Sequence, residues 1–164
     1  MKIKKPGLRI LKTGIAVFLC FIIGKIRGEM ALPFYSAIAS IICIKNDYED
    51  TKDTGISRVK GTVIGGFLGF IHLTIKEYIN FNPYIEYIIY SFSIMLLIWI
   101  VVNINSPKSG TIAPITYISV AVNHASDGNA YLFAIERTMD TLIGVLVSMV
   151  VNRFWLKGEK NEIK

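Results

Sequence analysis

Six apolar stretches separated by short charged segments make up most of the chain, and their lengths constrain the fold more than any other feature. They comprise residues 13–24, 30–44, 61–75, 87–107, 109–126 and 141–152. A helix needs about 20 mainly apolar residues to cross the hydrocarbon core of a bilayer. The fourth stretch reaches that length unaided. The others reach it only with flanking Lys and Arg residues, whose long side chains extend toward the lipid headgroups.

Composition supports a membrane protein. The 164 residues are 52% hydrophobic and 18% charged, whereas a soluble domain carries about 45–50% apolar and about 25% charged residues. We therefore predict an all-α, polytopic membrane helix bundle of about six transmembrane helices in one domain, 1–164. The spans are expected near 10–28, 30–45, 59–78, 84–106, 109–125 and 135–155, with a cytoplasmic loop at 46–58. This excludes a soluble enzyme domain, an extramembrane catalytic domain and a disordered protein.

The distribution of basic residues predicts the orientation. With the N-terminus in the cytoplasm and six spans, fourteen of the eighteen Lys and Arg residues fall on the inner side. Cytoplasmic loops carry such an excess, so both termini are expected in the cytoplasm. The net charge of +6 is divided among several loops. A lipid bilayer is therefore the expected partner, and a nucleic acid is not.

A short pattern recurs on three helices. Arg9, Arg58 and Arg137 are each followed by Thr at the fourth position and by small residues at the seventh and eleventh. Small residues four apart let helix backbones approach closely in lipid. The positions predicted to pack in this way are Gly61, Gly65, Gly69, Gly144 and Ser148. The alternative is ordinary helix packing without a true repeat. Arg9 and Arg58 are interpreted as cytoplasmic anchors or as parts of a gate.

Charged residues inside the expected sixth span suggest a functional site, because such groups are costly in a bilayer. Arg137 and Asp140 are three positions apart, and Glu136 lies four before Asp140. Arg137 is a candidate for binding a carboxylate, while Asp140 or Glu136 exchanges a proton. The alternative is a structural ion pair near the outer interface. His72 is a further proton-coupling candidate, since imidazole titrates near neutral pH, or simply a hydrated residue near the interface.

Pro114 lies inside the fifth apolar stretch, where a proline frees a carbonyl one turn earlier. Thr116 and Asn123 are therefore candidates for lining an interrupted, partly hydrated helix; the alternative is an ordinary proline kink. Cys20 and Cys43 lie within apolar stretches without ligands at metal-binding spacing, so they are interpreted as small core residues. Neither a metal site nor an enzyme motif is visible in the sequence.

Four motifs, in order along nearly the whole chain, resemble the aromatic acid exporter superfamily, which includes the fusaric-acid-resistance proteins. They are Arg9-x-x-Lys12-Thr13-x-Ile15-Ala16, Pro33-Phe34-x-x-Ala37-x-x-Ser40-x-Ile42, Gly55-x-x-Arg58-x-x-Gly61-Thr62-x-x-Gly65-Gly66, and Arg137-x-x-Asp140-Thr141-x-x-Gly144 with Asn152. The last motif places Thr141 beside Asp140 among the substrate-binding candidates.

The resemblance implies a multi-pass protein of the bacterial inner membrane that exports aromatic carboxylic acids or related weak acids, driven by the proton gradient and without a cofactor. Many relatives carry a cytoplasmic C-terminal domain, and this chain is expected to be a short form without it. A homo-oligomer, dimeric or higher, is therefore expected to complete the pathway, with the glycine face of the third helix as its contact. The alternative is a non-transporting scaffold or accessory subunit of a larger membrane complex.

Overall fold

The computed structural model describes residues 7–29, 31–79, 82–122 and 130–162, and these residues form helices without any strand. The helices are α1 (Leu8–Arg27), α2 (Pro33–Cys43), α3 (Tyr48–Tyr78), α4 (Pro83–Asn103), a short 3₁₀ helix (Pro107–Ser109), α5 (Ile112–Ala121) and α6 (Ala130–Glu162). The prediction of an all-helical chain is confirmed for the described residues.

Helix α4 has well-defined signals at both ends. Asn82 caps its start by accepting a hydrogen bond from the Tyr84 N–H at 3.1 Å, and Pro83 occupies the first turn. At the other end, Asn105 has φ +53°, and the N–H groups of Asn105 and Ser106 bond to the carbonyls of Val102 and Val101. These two bonds form a Schellman motif, in which asparagine tolerates the left-handed conformation. Among the described helices, α4 alone is long and apolar enough to cross a membrane; α2 is apolar but shorter.

The expected cytoplasmic loop at 46–58 is wrong as a description of the local structure, because α3 begins at Tyr48. Two acids, Glu49 and Asp50, lie in its first turn, where carboxylates interact favourably with the helix dipole. Thr51 and Gly55, one turn apart, are both buried. A Cβ on Gly55 would lie 2.7 Å from Val145 Cγ1, so packing against α6 stabilises a helix in a segment whose mixed charges suggested a solvated loop.

Helices α2 and α5 are shorter than the spans expected for them. They contain 11 and 10 residues and rise about 15–17 Å at 1.5 Å per residue, roughly half of a bilayer core.

The expected interruption at Pro114 is also wrong. The chain is interrupted earlier, between Asn103 and Ile112, and Pro114 lies in the first turn of α5, where its missing N–H removes no intrahelical bond.

The chain forms two compact units, and the boundaries between them fall within α3 and α6. The first unit comprises the described residues up to Ile56 and from Met139 onward, and the second comprises those of Ser57–Thr138. Buried Ala16, Cys20, Ala37, Ile44, Val147 and Val151 form the core of the first unit. Leu97, Val101, Ala113, Tyr117 and Ala121 form the main core of the second unit.

Helices α3 and α5 pack closely in the second unit along the glycine face of α3. A Cβ on Gly65 would collide with the Ala113 carbonyl oxygen, and a Cβ on Gly69 would lie 2.9 Å from Val120 Cβ. Gly61 faces Ile112 and the Ala113 backbone in the same way. The glycine face of α3, expected as a contact with a second copy of the chain, is thus packed against α5 of the same chain.

Candidate functional site

Asp140 is a buried carboxylate on α6 within the first unit. It is 1% exposed and forms an ion pair with Arg27 at the end of α1. Its other oxygen accepts a hydrogen bond from the Leu32 N–H at 2.7 Å. Leu32 directly precedes α2, and the first N–H groups of a helix have no intrahelical acceptor. Asp140 therefore caps α2 and neutralises Arg27 with one carboxylate.

The residues that follow Asp140 at intervals of four form a buried stripe on α6. Gly144 lies against α2, where a Cβ would collide with the Ser36 carbonyl oxygen and lie 2.6 Å from Ala39 Cβ. Ser148 is fully buried, and its hydroxyl donates to the Val145 carbonyl at 2.7 Å. Thr141, beside the stripe, is 3% exposed. Small residues on α6 thus allow α2 to approach the helix that carries Asp140.

Asn152 completes this stripe and forms a buried polar hub. Its Nδ2 donates to Thr51 Oγ1 at 2.7 Å and to the carbonyls of Asp47 and Lys45 at 3.1 and 3.3 Å. Its Oδ1 accepts a hydrogen bond of 3.2 Å from Lys12 Nζ on α1. Asn152 thereby links the end of α2, the start of α3 and the first turns of α1 within the first unit.

Arg137 lies in the second unit, and its guanidinium donates to the Ser119 hydroxyl on α5. The side chain is 7% exposed. Thr116 lies three positions before Ser119 on α5. It is 2% exposed, and its hydroxyl donates to the Ile112 carbonyl at 3.0 Å. Glu136 is partly buried, and Asn123 lies outside the described residues. The structure therefore brings Arg137 onto α5, the helix that carries Thr116.

His72 lies in an aromatic cluster of the second unit with Tyr90 and Tyr117. The imidazole is 8% exposed; its Nδ1 is 3.1 Å from the Tyr117 hydroxyl. The Tyr90 ring lies 4.9 Å away between centroids, at 31°. The opposite ring nitrogen, Nε2, is buried and has no hydrogen-bond partner among the described residues. Buried polar atoms are nearly always hydrogen-bonded, so this nitrogen stands out.

The aromatic cluster continues into an ion pair. Tyr90 donates its hydroxyl to Glu86 on the preceding turn of α4, and Glu86 pairs with Lys76 of α3. His72 and Lys76 are one turn apart on α3. The second unit thus places a histidine, two tyrosines, a carboxylate and an ammonium within one connected group, all of which exchange protons or donate hydrogen bonds.

The remaining candidates lie apart from these groups. Arg9 is exposed on the first turn of α1, and Arg58 is buried on α3. Cys20 and Cys43 are both buried. The described residues contain no cluster of three or more His, Cys, Asp or Glu side chains able to hold a metal ion.

Sequence reasoning overlooked Arg27, Lys12 and Asn152 as parts of polar sites, although the last two appear in the motifs quoted above. A usable signal was spacing. The buried residues of α1 are Lys12, Ala16, Cys20 and Gly24, and those of α6 include Asp140, Gly144, Ser148 and Asn152. In both helices a polar residue stands at an end of a series of small residues that are spaced four positions apart. This spacing places the polar residue on the packed face of the helix.

Comparison with known proteins identifies the family. The UPF0421 protein YgaE of Bacillus subtilis (strain 168) is 28% identical over 152 residues, which are 93% of this chain and 40% of that protein. This chain therefore spans well under half the length of that relative. No solved structure matches the chain. The family model described as aromatic acid exporter family member 1 matches residues 4–155. The resemblance predicted from the sequence is confirmed, and the chain belongs to the aromatic acid exporter family.

Proposed function

We propose that the protein is a proton-coupled exporter of aromatic carboxylic acids or related weak acids in the bacterial cytoplasmic membrane. The observation that carries the proposal is the match to an aromatic acid exporter family over residues 4–155, since this family comprises transporters and not enzymes. Buried ionisable groups on apolar helices support it, because such groups in a membrane are costly and mark pathways for ions or substrates.

Exposed apolar side chains support the placement of all six helices in the bilayer. Each helix carries at least one large apolar residue that is more than half exposed. These are Phe18, Phe34, Phe67, Phe92, Ile115 and Phe154, with exposed fractions of 64, 63, 67, 63, 56 and 72%. A soluble monomer rarely exposes apolar surface on this scale. Six embedded helices with both termini in the cytoplasm fit these faces and the distribution of basic residues.

In this proposal substrate binding and proton coupling are assigned to different residues. Arg137, buried beside Ser119, binds the carboxylate of the substrate, because a guanidinium matches a carboxylate with two parallel hydrogen bonds. Asp140 and His72 are the proton-coupling residues, with Glu136 as a further candidate. Asp140 exchanges its ion pair with Arg27 for a proton, and His72 takes up a proton on the buried nitrogen that has no partner.

The test is transport by the purified full chain in liposomes with an imposed pH gradient, measured as the initial rate of accumulation of labelled benzoate. The neutral form of an aromatic acid crosses lipid unaided and accumulates in response to a pH gradient, so protein-free liposomes with the same gradient set the background. We expect a gradient-dependent rate above this background. The rate falls to background in Arg137→Gln, because the carboxylate loses its cationic partner.

Arg153→Gln is the matched control, because Arg153 lies on the same helix and is exposed. It is expected to transport at the wild-type rate. Equal loss in both variants would contradict a specific role for Arg137. A folded wild-type protein that moves none of a panel of aromatic carboxylates would overturn the exporter proposal and favour the scaffold alternative.

A further inference from the structure

A pocket of about 400 Å³ lies in the first unit at the start of α1. Its lining consists of Gly7, Leu8, Arg9, Lys12, Lys45 and Asn46. Three of these six residues are cations, and none is an acid. A volume of this size lies in the range of small-molecule sites, and the lining selects for negative charge.

The central cation of the pocket is buried, and no residue that the structure describes forms an ion pair with it. Lys12 is 4% exposed, and its ammonium donates to the neutral Oδ1 of Asn152 at 3.2 Å. Buried charges in proteins are nearly always paired with an opposite charge. Neither Lys12, Arg9 nor Lys45 forms an ion pair with any residue that the structure describes.

The hydrogen bonds of Asn152 explain why its oxygen faces the lysine. The Nδ2 group donates to Thr51 and to two backbone carbonyls, so the amide orientation is fixed by its network. An ammonium has three donors, and Asn152 accepts one of them. Asn152 therefore positions the ammonium of Lys12 without supplying a negative charge, and two of its N–H donors have no acceptor among the residues that the structure describes.

The start of α1 adds to this positive potential. Gly7 precedes the helix without a side-chain cap; the Ile10 N–H bonds to the Gly7 carbonyl at 2.9 Å, and no side chain caps the N–H groups of Leu8 and Arg9. The dipole of the 20-residue helix places partial positive charge at this end. Backbone and side chains thus converge on the same requirement for an anion.

We propose that this pocket binds one anionic group, the carboxylate of a small organic acid, between Arg9, Lys12 and Lys45. Resting on the proposed function, we assign it as the cytoplasmic site where the exported acid first binds. The phosphate of an anionic lipid headgroup has the same chemistry, and the experiment separates the two sources.

The experiment measures binding and not transport. The full chain is placed in phosphatidylcholine nanodiscs and titrated calorimetrically with sodium benzoate and, separately, with inorganic phosphate. We expect saturable benzoate binding that weakens at least about tenfold in Arg9→Gln/Lys45→Gln, because two charge-assisted hydrogen bonds are lost. Lys25→Gln is the matched control: it removes one exposed charge from the same helix, about 24 Å farther along, and should change the dissociation constant less than about twofold.

A second arm adds phosphatidylglycerol to the nanodiscs. If the lipid competes with benzoate, the lipid headgroup is also a ligand of this anion site. If benzoate binding is unchanged, the soluble acid is the ligand. Wild-type affinity in the double variant, or no binding of benzoate, phosphate or anionic lipid, overturns the site. Because Lys12 also supports Asn152, the test relies on Arg9 and Lys45, whose side chains form no hydrogen bond or ion pair with any residue that the structure describes.

Transport in the same variants separates this proposal from the proposed function. If the wild type binds benzoate but does not transport it, the pocket proposal is supported and the exporter proposal is overturned. If the double variant transports benzoate with an unchanged KM, the pocket is not the first binding site, and the exporter proposal is still supported.

Discussion

The two units of the chain place polar groups in contrasting environments. In the first unit, Asp140 and Asn152 bond to backbone groups at the ends of α2 and α3 and to basic residues of α1. In the second unit, Gly65 and Gly69 bring α3 into backbone contact with α5, and His72 lies among tyrosine rings with one nitrogen that bonds to no described residue.

This difference distinguishes polar groups that hold helices together from a polar atom without a partner among the described residues. A carboxylate that caps a helix and neutralises an arginine stabilises the fold, and its loss removes one partner from each. A histidine nitrogen without a partner adds nothing to stability, and in the proposed function it takes up a proton. Three substitutions test this distinction.

The largest expected effect is on the first unit. Asp140→Ala leaves Arg27 without its carboxylate and the Leu32 N–H without its acceptor, so we expect a loss of about 3 kcal/mol in the free energy of unfolding. Thermal unfolding in detergent, followed by circular dichroism, measures it. Asp53→Ala, which removes an exposed carboxylate, should change stability by less than about 0.5 kcal/mol. Equal melting temperatures of the two variants would show that the Asp140 contacts do not hold the unit together.

The second-largest expected effect comes from a substitution that disrupts the packing of the second unit. Gly65→Ala puts a methyl group against the Ala113 carbonyl, and forced backbone displacement costs about 2 kcal/mol. Gly14→Ala is the matched control, because nothing lies within 4 Å of its Cβ position. That variant should be stabilised by up to about 1 kcal/mol through helix propensity. Opposite shifts in melting temperature are expected; a stabilised Gly65→Ala would contradict the close approach.

The smallest effect on stability, but a decisive one on coupling, is expected for His72→Phe. The lost hydrogen bond to Tyr117 costs about 1 kcal/mol, and the removal of a buried nitrogen without a partner offsets most of it. In liposomes the variant should lose acceleration by the pH gradient yet retain exchange of labelled for unlabelled benzoate. Tyr87→Phe, at an exposed tyrosine of α4, should keep both. Gradient-driven transport by His72→Phe would remove His72 from the coupling proposal.

The sequence predicted the helical class and the family well, because both depend on local patterns. The fourth span, expected at 84–106, corresponds to α4 at Pro83–Asn103, since a long apolar run bounded by Asn-Pro and Asn-Ser-Pro has few alternatives. The glycine spacing of α3 indicated a packed face but could not identify α5 as its neighbour. That choice depends on the Ala113 backbone, 48 positions after Gly65.

The polar contacts were harder to predict, because their partners are distant in sequence. Asp140 forms an ion pair with Arg27, 113 positions away, and no local pattern identifies a partner at that distance. The segment at 46–58 looked like a loop because its charges balance. Its helical conformation depends on Gly55 packing against Val145, a contact that no local pattern contains.

The first unit also constrains the order in which the protein is assembled during synthesis. Lys12 reaches Asn152 across 140 positions, and Thr51 reaches it across 101. While the ribosome is still producing the second unit, the hairpin of α1 and α2 exists without the helix that covers its polar groups. The ion pair between Arg27 and Asp140 cannot form until Asp140 has been synthesised. Completion of the first unit is therefore a late event in biogenesis, because its contacts on α6 are synthesised after α1 to α5.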